Sequence, residues 1–200
     1  MFPTPALGAP LNRNVRQRRK VPTMPDTEKH TISFAPGAKE HLDVVAGLPD
    51  LNSVSDDHQV TDICMFFGAA AYYAQFFEAS LAEFLVTYRR LAEKVHLDSD
   101  VQTLEETLHK KTMGALLTEL RKVFTIDDAE IDSLLSGALK MRNSLMHEFF
   151  REREPDFSSD LKRRRIFEEL IEIGLTLKKA MFAVRGMNAA IQQYLQVDGK

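Results

Sequence analysis

A chain of 200 residues, 44% hydrophobic and 28% charged with a formal net charge of -3, is long enough for one domain that buries roughly 70% of its unfolded surface. Eight prolines, nine glycines and no tryptophan exclude collagen-like and low-complexity architectures. The mild net acidity gives no overall attraction to nucleic acid, so any basic footprint is local.

The single cysteine, Cys64, excludes a disulfide within one chain and fits a reducing compartment, with the cytoplasm as the expected location. The longest apolar stretch, Ile63 to Phe77, is interrupted by Gln75 and falls short of the about 20 residues a membrane-spanning helix needs. It reads as a buried helix segment, and no membrane partner is expected.

Residues 1–55 differ from the rest. They carry every proline except Pro155, together with the basic cluster Arg13, Arg16, Arg18, Arg19 and Lys20. No apolar h-region of a secretory signal occurs there, and the prolines oppose an amphipathic presequence helix. This leader is expected to be mostly disordered, with docking through Ile32 to Phe34 or Val44 to Leu48. Its basic cluster is either a solvated tail or a contact for nucleic acid or a targeting receptor.

Residues 56–200 form the second region, an all-α body. Hydrophobic residues recur at three and four, which predicts a first helix over about 57–95, with Ile63, Phe66, Phe67, Ala70, Tyr73, Phe77, Leu81, Phe84 and Tyr88 on one stripe. Cys64 lies at that stripe's edge as packing. Thr103 with Glu106 resembles a capping box and opens a second helix to about Phe124. Thr125 and Asp127 cap a third over about 127–154, which stops before Pro155. Ser159 or Asp160 caps a fourth over about 160–196. No strand pattern is evident. Two long helices, ~55 Å each at 1.5 Å per residue, and two shorter ones predict an antiparallel four-helix bundle.

The third helix carries the informative constellation. On a helical wheel Ile131, Leu135, Ala138, Leu139, Leu145, Met146, Phe149 and Phe150 all lie within roughly 80° of Arg142, so a guanidinium sits in the middle of an apolar stripe. Asn143 and His147, four apart, share one edge of it. An unpaired buried cation costs several kcal/mol. Arg142 therefore needs either a carboxylate, for which Glu78 beside Ala71, Ala74 and Ala82 is the candidate, or an anion in a cleft. In the first case the site is a structural ion pair. In the second Arg142 binds phosphate, His147 transfers protons and Asn143 orients one of them.

Arg142-Asn143-x-x-x-His147, late in the third helix, resembles the R-x(4–6)-H signature of the HEPN superfamily. Gly68 to Leu85, with Gln75, Glu78 and Leu81, is similar to that family's first helix, and Lys111-Thr112-Met113-Gly114-Ala115-Leu116-Leu117 to the element before its motif helix. The resemblance covers about residues 60–195. It implies a helical bundle that dimerises to bring two motifs into one composite cleft, and a metal-independent endoribonuclease, often the toxin of a toxin–antitoxin or phage-defence system. Carried onto this chain, His147 assists attack of a ribose 2′-hydroxyl on the adjacent phosphodiester, Arg142 stabilises phosphate charge, Asn143 positions it, and Glu78 supports. RNA, a second copy and an antitoxin are the implied partners, and no cofactor is implied. The family also holds catalytically inactive members that bind nucleotides or proteins, which is the alternative reading.

Arg151, Lys162, Arg164 and Arg165 lie just beyond the motif helix. With Glu152, Glu154, Asp156 and Asp160 interleaved, this segment is either a solvated charged turn or an RNA phosphate track. Glu106-x-x-His109 has the spacing of a di-iron ligand pair, but the second copy that such a site requires is missing, so no metal is expected. Asp56, Asp57, His58 and Asp62 complement the first helix's dipole. Asn188 falls in the middle of the fourth helix's stripe, bonding across the core or a dimer seam.

Overall fold

The computed structural model describes residues 29–33, 60–92 and 97–198. The basic cluster at 13–20, the 44–48 segment and Asp56, Asp57 and His58 lie outside these. In chain order the elements are β1 (His30–Ile32), α1 (Val60–Ala92), α2 (Asp98–His109), α3 (Met113–Val123), β2 (Phe124–Ile126), α4 (Ala129–His147), α5 (Phe149–Arg153), a 3-10 turn (Glu154–Ser158) and α6 (Asp160–Asp198). The described chain is mostly helical, and none of its helices is long and apolar enough to cross a membrane.

The two long helices form the spine. α1 and α6 pack along each other more extensively than any other pair, because each presents a stripe of apolar residues at helical spacing. Phe77, Leu81 and Phe84 of α1 and Leu170, Leu177 and Val184 of α6 are all buried. Small residues bring the backbones close: a Cβ added to Gly174 would stand 3.8 Å from that of Ala70.

The single helix expected between Thr103 and Phe124 is two helices. α2 begins earlier, at Asp98, and Thr103 sits inside it, where its hydroxyl donates to the Ser99 carbonyl at 2.8 Å instead of capping. The chain breaks at Lys110–Thr112, and the Thr112 hydroxyl caps α3 by accepting from the Ala115 N–H. The cap of α4 is Asp128, which accepts from the N–H groups of Glu130 and Ile131, not Thr125 or Asp127. Asp127 instead receives the Ser33 hydroxyl and donates its own N–H to the Ile32 carbonyl at 3.3 Å.

That last contact belongs to a feature absent from the sequence pattern. β1 and β2 pair in parallel, His30 opposite Phe124 and Ile32 opposite Ile126. Ile32 packs against the core, so the part of the leader around Ile32 is ordered and docked, as one of the two expected docking segments. Cys64 is another correction. It is exposed, one position past buried Ile63 and about 100° round the helix from it.

The long third helix expected to Glu154 ends at His147. Glu148 takes φ -129°, ψ -22°, and the chain restarts as α5. The anchor beyond the break is Arg153. Its Nε donates to Glu169 Oε2 at 2.7 Å, with a second bond to the same carboxylate, and its guanidinium lies 4.3 Å over the Phe149 ring. The Glu169 bonds raise the arginine's already high pKa, and α5 is thereby fastened to α6.

Candidate functional site

Arg142 leaves α4 toward α1. Its Nη2 donates to Glu78 Oε2 at 3.2 Å and its Nη1 to Asn143 Oδ1 at 3.3 Å. The two ion-paired side chains retain 23% and 30% of their exposure, so the pair is neither sealed in the core nor fully solvated. Leu145, Ala138 and Leu135 beside it are buried. The wheel places Arg142 correctly amid apolar neighbours, and the carboxylate it requires is the one anticipated.

The apolar stripe is narrower than the wheel suggests. Met146 and Phe150 are 43% and 38% exposed. The helical break at Glu148 takes Phe149 and Phe150 off the α4 wheel, and Phe150 instead meets the Phe67 ring at 4.6 Å.

Asn143 and His147 are both exposed, on adjacent turns of one face. His147 ends α4 and has no hydrogen bond or ion pair among the described residues. From Arg142 it is five residues on, about 140° around the helix and ~7.5 Å along it. The structure therefore brings Arg142, Asn143 and Glu78 together and leaves His147 with Asn143 on the wet edge.

No family model, curated protein or solved structure matches this chain.

The basic segment beyond the motif helix is largely engaged. Arg151 pairs with Glu148 at 3.8 Å, Lys162 with Asp156 at 2.8 Å and Arg164 with Glu168 at 3.1 Å. Arg165 is exposed and has no acidic partner among the described residues. Glu106 pairs at 3.9 Å with Lys110, and no group of three or more His, Cys, Asp or Glu that could hold a metal occurs among the described residues. Asn188 is buried and its Nδ2 donates to Glu83 at 3.2 Å, while its Oδ1 has no partner among the described residues.

Sequence reasoning missed one convergence. Behind Glu78 lies a cavity of about 210 Å³ whose other polar walls are Gln75, His109 and Lys111. Gln75 and Lys111 drew attention singly and His109 only as a metal ligand. Their meeting depends on the break at Lys110–Thr112, which turns the end of α2 toward α1.

Proposed function

We propose that this chain is a metal-independent endoribonuclease. It cleaves RNA by attack of a ribose 2′-hydroxyl on the neighbouring phosphodiester, leaving a 2′,3′-cyclic phosphate and a 5′-hydroxyl. The observation that carries the reading is the state of Arg142: a guanidinium among apolar neighbours, held by one N–H to Glu78 and one to Asn143, with its other N–H groups unpartnered among the described residues. A donor set fixed in place yet still open to solvent suits charge that develops on a phosphate oxygen.

In this reading Asn143 positions the scissile phosphate and His147 moves the proton. Because Arg142 and His147 point some 140° apart on one helix, the reading takes two copies that share a composite cleft, each motif completing the other. Its scaffold is an antiparallel four-helix bundle of the HEPN kind. Arg165, with Arg151, Lys162 and Arg164 once released from their acids, tracks the RNA backbone. A cytoplasmic toxin restrained by an antitoxin is the biological role that fits such chemistry.

A second reading, a nucleotide-binding or protein-interaction module without turnover, is favoured by one observation: among the described residues no bond orients the His147 ring. Incubation of the purified protein with total RNA in EDTA, wild type beside His147→Ala, decides between them. Cleavage that survives chelation and disappears in the variant supports the enzyme, whereas intact RNA with both proteins supports the binding module.

A further inference from the structure

We infer that the cavity between α1 and the α2–α3 turn binds a phosphate monoester carrying a small planar or apolar body. The floor of the cavity is apolar, formed by the buried Ala82, Leu108 and Leu116, with exposed Ala79 of α1 at its mouth. The polar groups sit at its rim: Gln75 on one side, His109 and Lys111 on the other. This division, an apolar floor with a few convergent polar groups, is that of a small-molecule site.

The charge around it selects an anion. Lys111 shares the Glu119 carboxylate with Arg89, whose Nη2 is 3.1 Å from Oε2. Burial first, then the charges of Arg89 and Lys122, lower the Lys111 pKa. Lys111 and Arg89 thus share one carboxylate, and Lys122 adds a third positive charge that acts on Lys111, in a chain whose net charge is -3. Glu78, the acid on the cavity wall, is compensated by Arg142. An ammonium has three donors, and Glu119 occupies one of those of Lys111.

A phosphate monoester, near -2 at neutral pH, matches the local excess of positive charge that three cations keep against the single Glu119 carboxylate. Its head group meets Lys111 and His109, its body lies on the alanines and leucines, and the Gln75 amide reaches a polar edge of that body. The site shares the Glu78 wall with the Arg142 pair but does not use His147.

Calorimetric titration of the full chain with phenyl phosphate, inorganic phosphate and phenol tests the assignment. Phenyl phosphate is expected to bind more tightly than either fragment, since it alone meets both the cations and the floor. Lys111→Gln weakens it about tenfold or more, the loss expected for a charge-assisted bond. Because that change also disturbs Glu119, Ala79→Met is the second variant. It fills the cavity from an exposed helix position without altering charge, and abolishes binding while the melting transition is kept. His147→Ala leaves binding unchanged. Competition by an oligonucleotide with a terminal phosphate, but not by its hydroxyl-ended form, identifies a strand end as the source of the monoester, and failure of both to compete identifies a free small molecule. Absence of phenyl phosphate binding at millimolar concentration, or binding unaffected by Ala79→Met, overturns the proposal.

Discussion

Neutralising Glu78 is the sharpest perturbation of the Arg142 site. At an effective dielectric of about 20 and a separation near 4 Å, two unit charges attract by about 4 kcal/mol before desolvation. The observed pair, 3.2 Å apart and 23% and 30% exposed, keeps enough water to offset most of that. Fully exposed pairs contribute about 0.2–1 kcal/mol and bonds to charged groups about 1.5–3 kcal/mol, so a coupling of ~1 kcal/mol is expected here. Urea unfolding of wild type, Glu78→Gln, Arg142→Met and the double variant isolates it, because the cycle cancels what each substitution does alone. In a chain of this size ~1 kcal/mol moves the melting temperature by roughly 2–4 °C. A coupling of zero would show that the two groups are held by their surroundings and not by each other. An Arg142→Met variant more stable than wild type, with unchanged RNA behaviour, would reduce the site to a replaceable core ion pair.

Two further outcomes follow from features away from that pair. Cys64, being exposed, reacts stoichiometrically with a thiol reagent such as dithionitrobenzoate in the folded protein, and protection until denaturant is added would contradict its placement. Glu169→Gln removes the charge of the α6 carboxylate that holds Arg153, whose side chain is only 16% exposed and whose other acidic neighbour, Glu152 at 3.5 Å, lies on α5 itself, and costs about 2 kcal/mol of unfolding free energy by urea titration. A loss below about 0.5 kcal/mol, the range of ordinary surface changes, would mean that α5 is held by the ring contacts of Phe149 and Phe150 and not by the ion pair.

The long helices were legible because their apolar periods run for many turns. Ile63 through Tyr88 and Leu170 through Val184 each specify a buried face, and a period sustained that long has few competing explanations. Arg142 and its partner Glu78 were legible for the opposite reason, as a charge where the pattern forbids one. The β1–β2 pair was not. Its strands are three residues each, too short for alternation to register, and its partners are 94 residues apart. The break at Lys110–Thr112 was also hidden, since Thr103 and Glu106 mimic a helix start that α2 passes straight through. Without that break, nothing in the sequence brings His109 and Lys111 to the wall that Glu78 completes. The stop at His147 has no proline or glycine to announce it.

The tie between Ile32 and Ile126 bears on how the protein is handled at the ribosome and at the bench. Ile32 and its neighbours cover one side of an apolar recess floored by Tyr88, Leu91, Phe124, Met187 and Ile191, and they can close it only after everything through Ile191 has been synthesised. Trimming the chain back past Ser33, as one does to tidy a proline-rich leader before crystallisation, would strip that cover and bare the unpaired edge of β2, a template for self-association. Trimming that stops short of Lys29 leaves the cover in place.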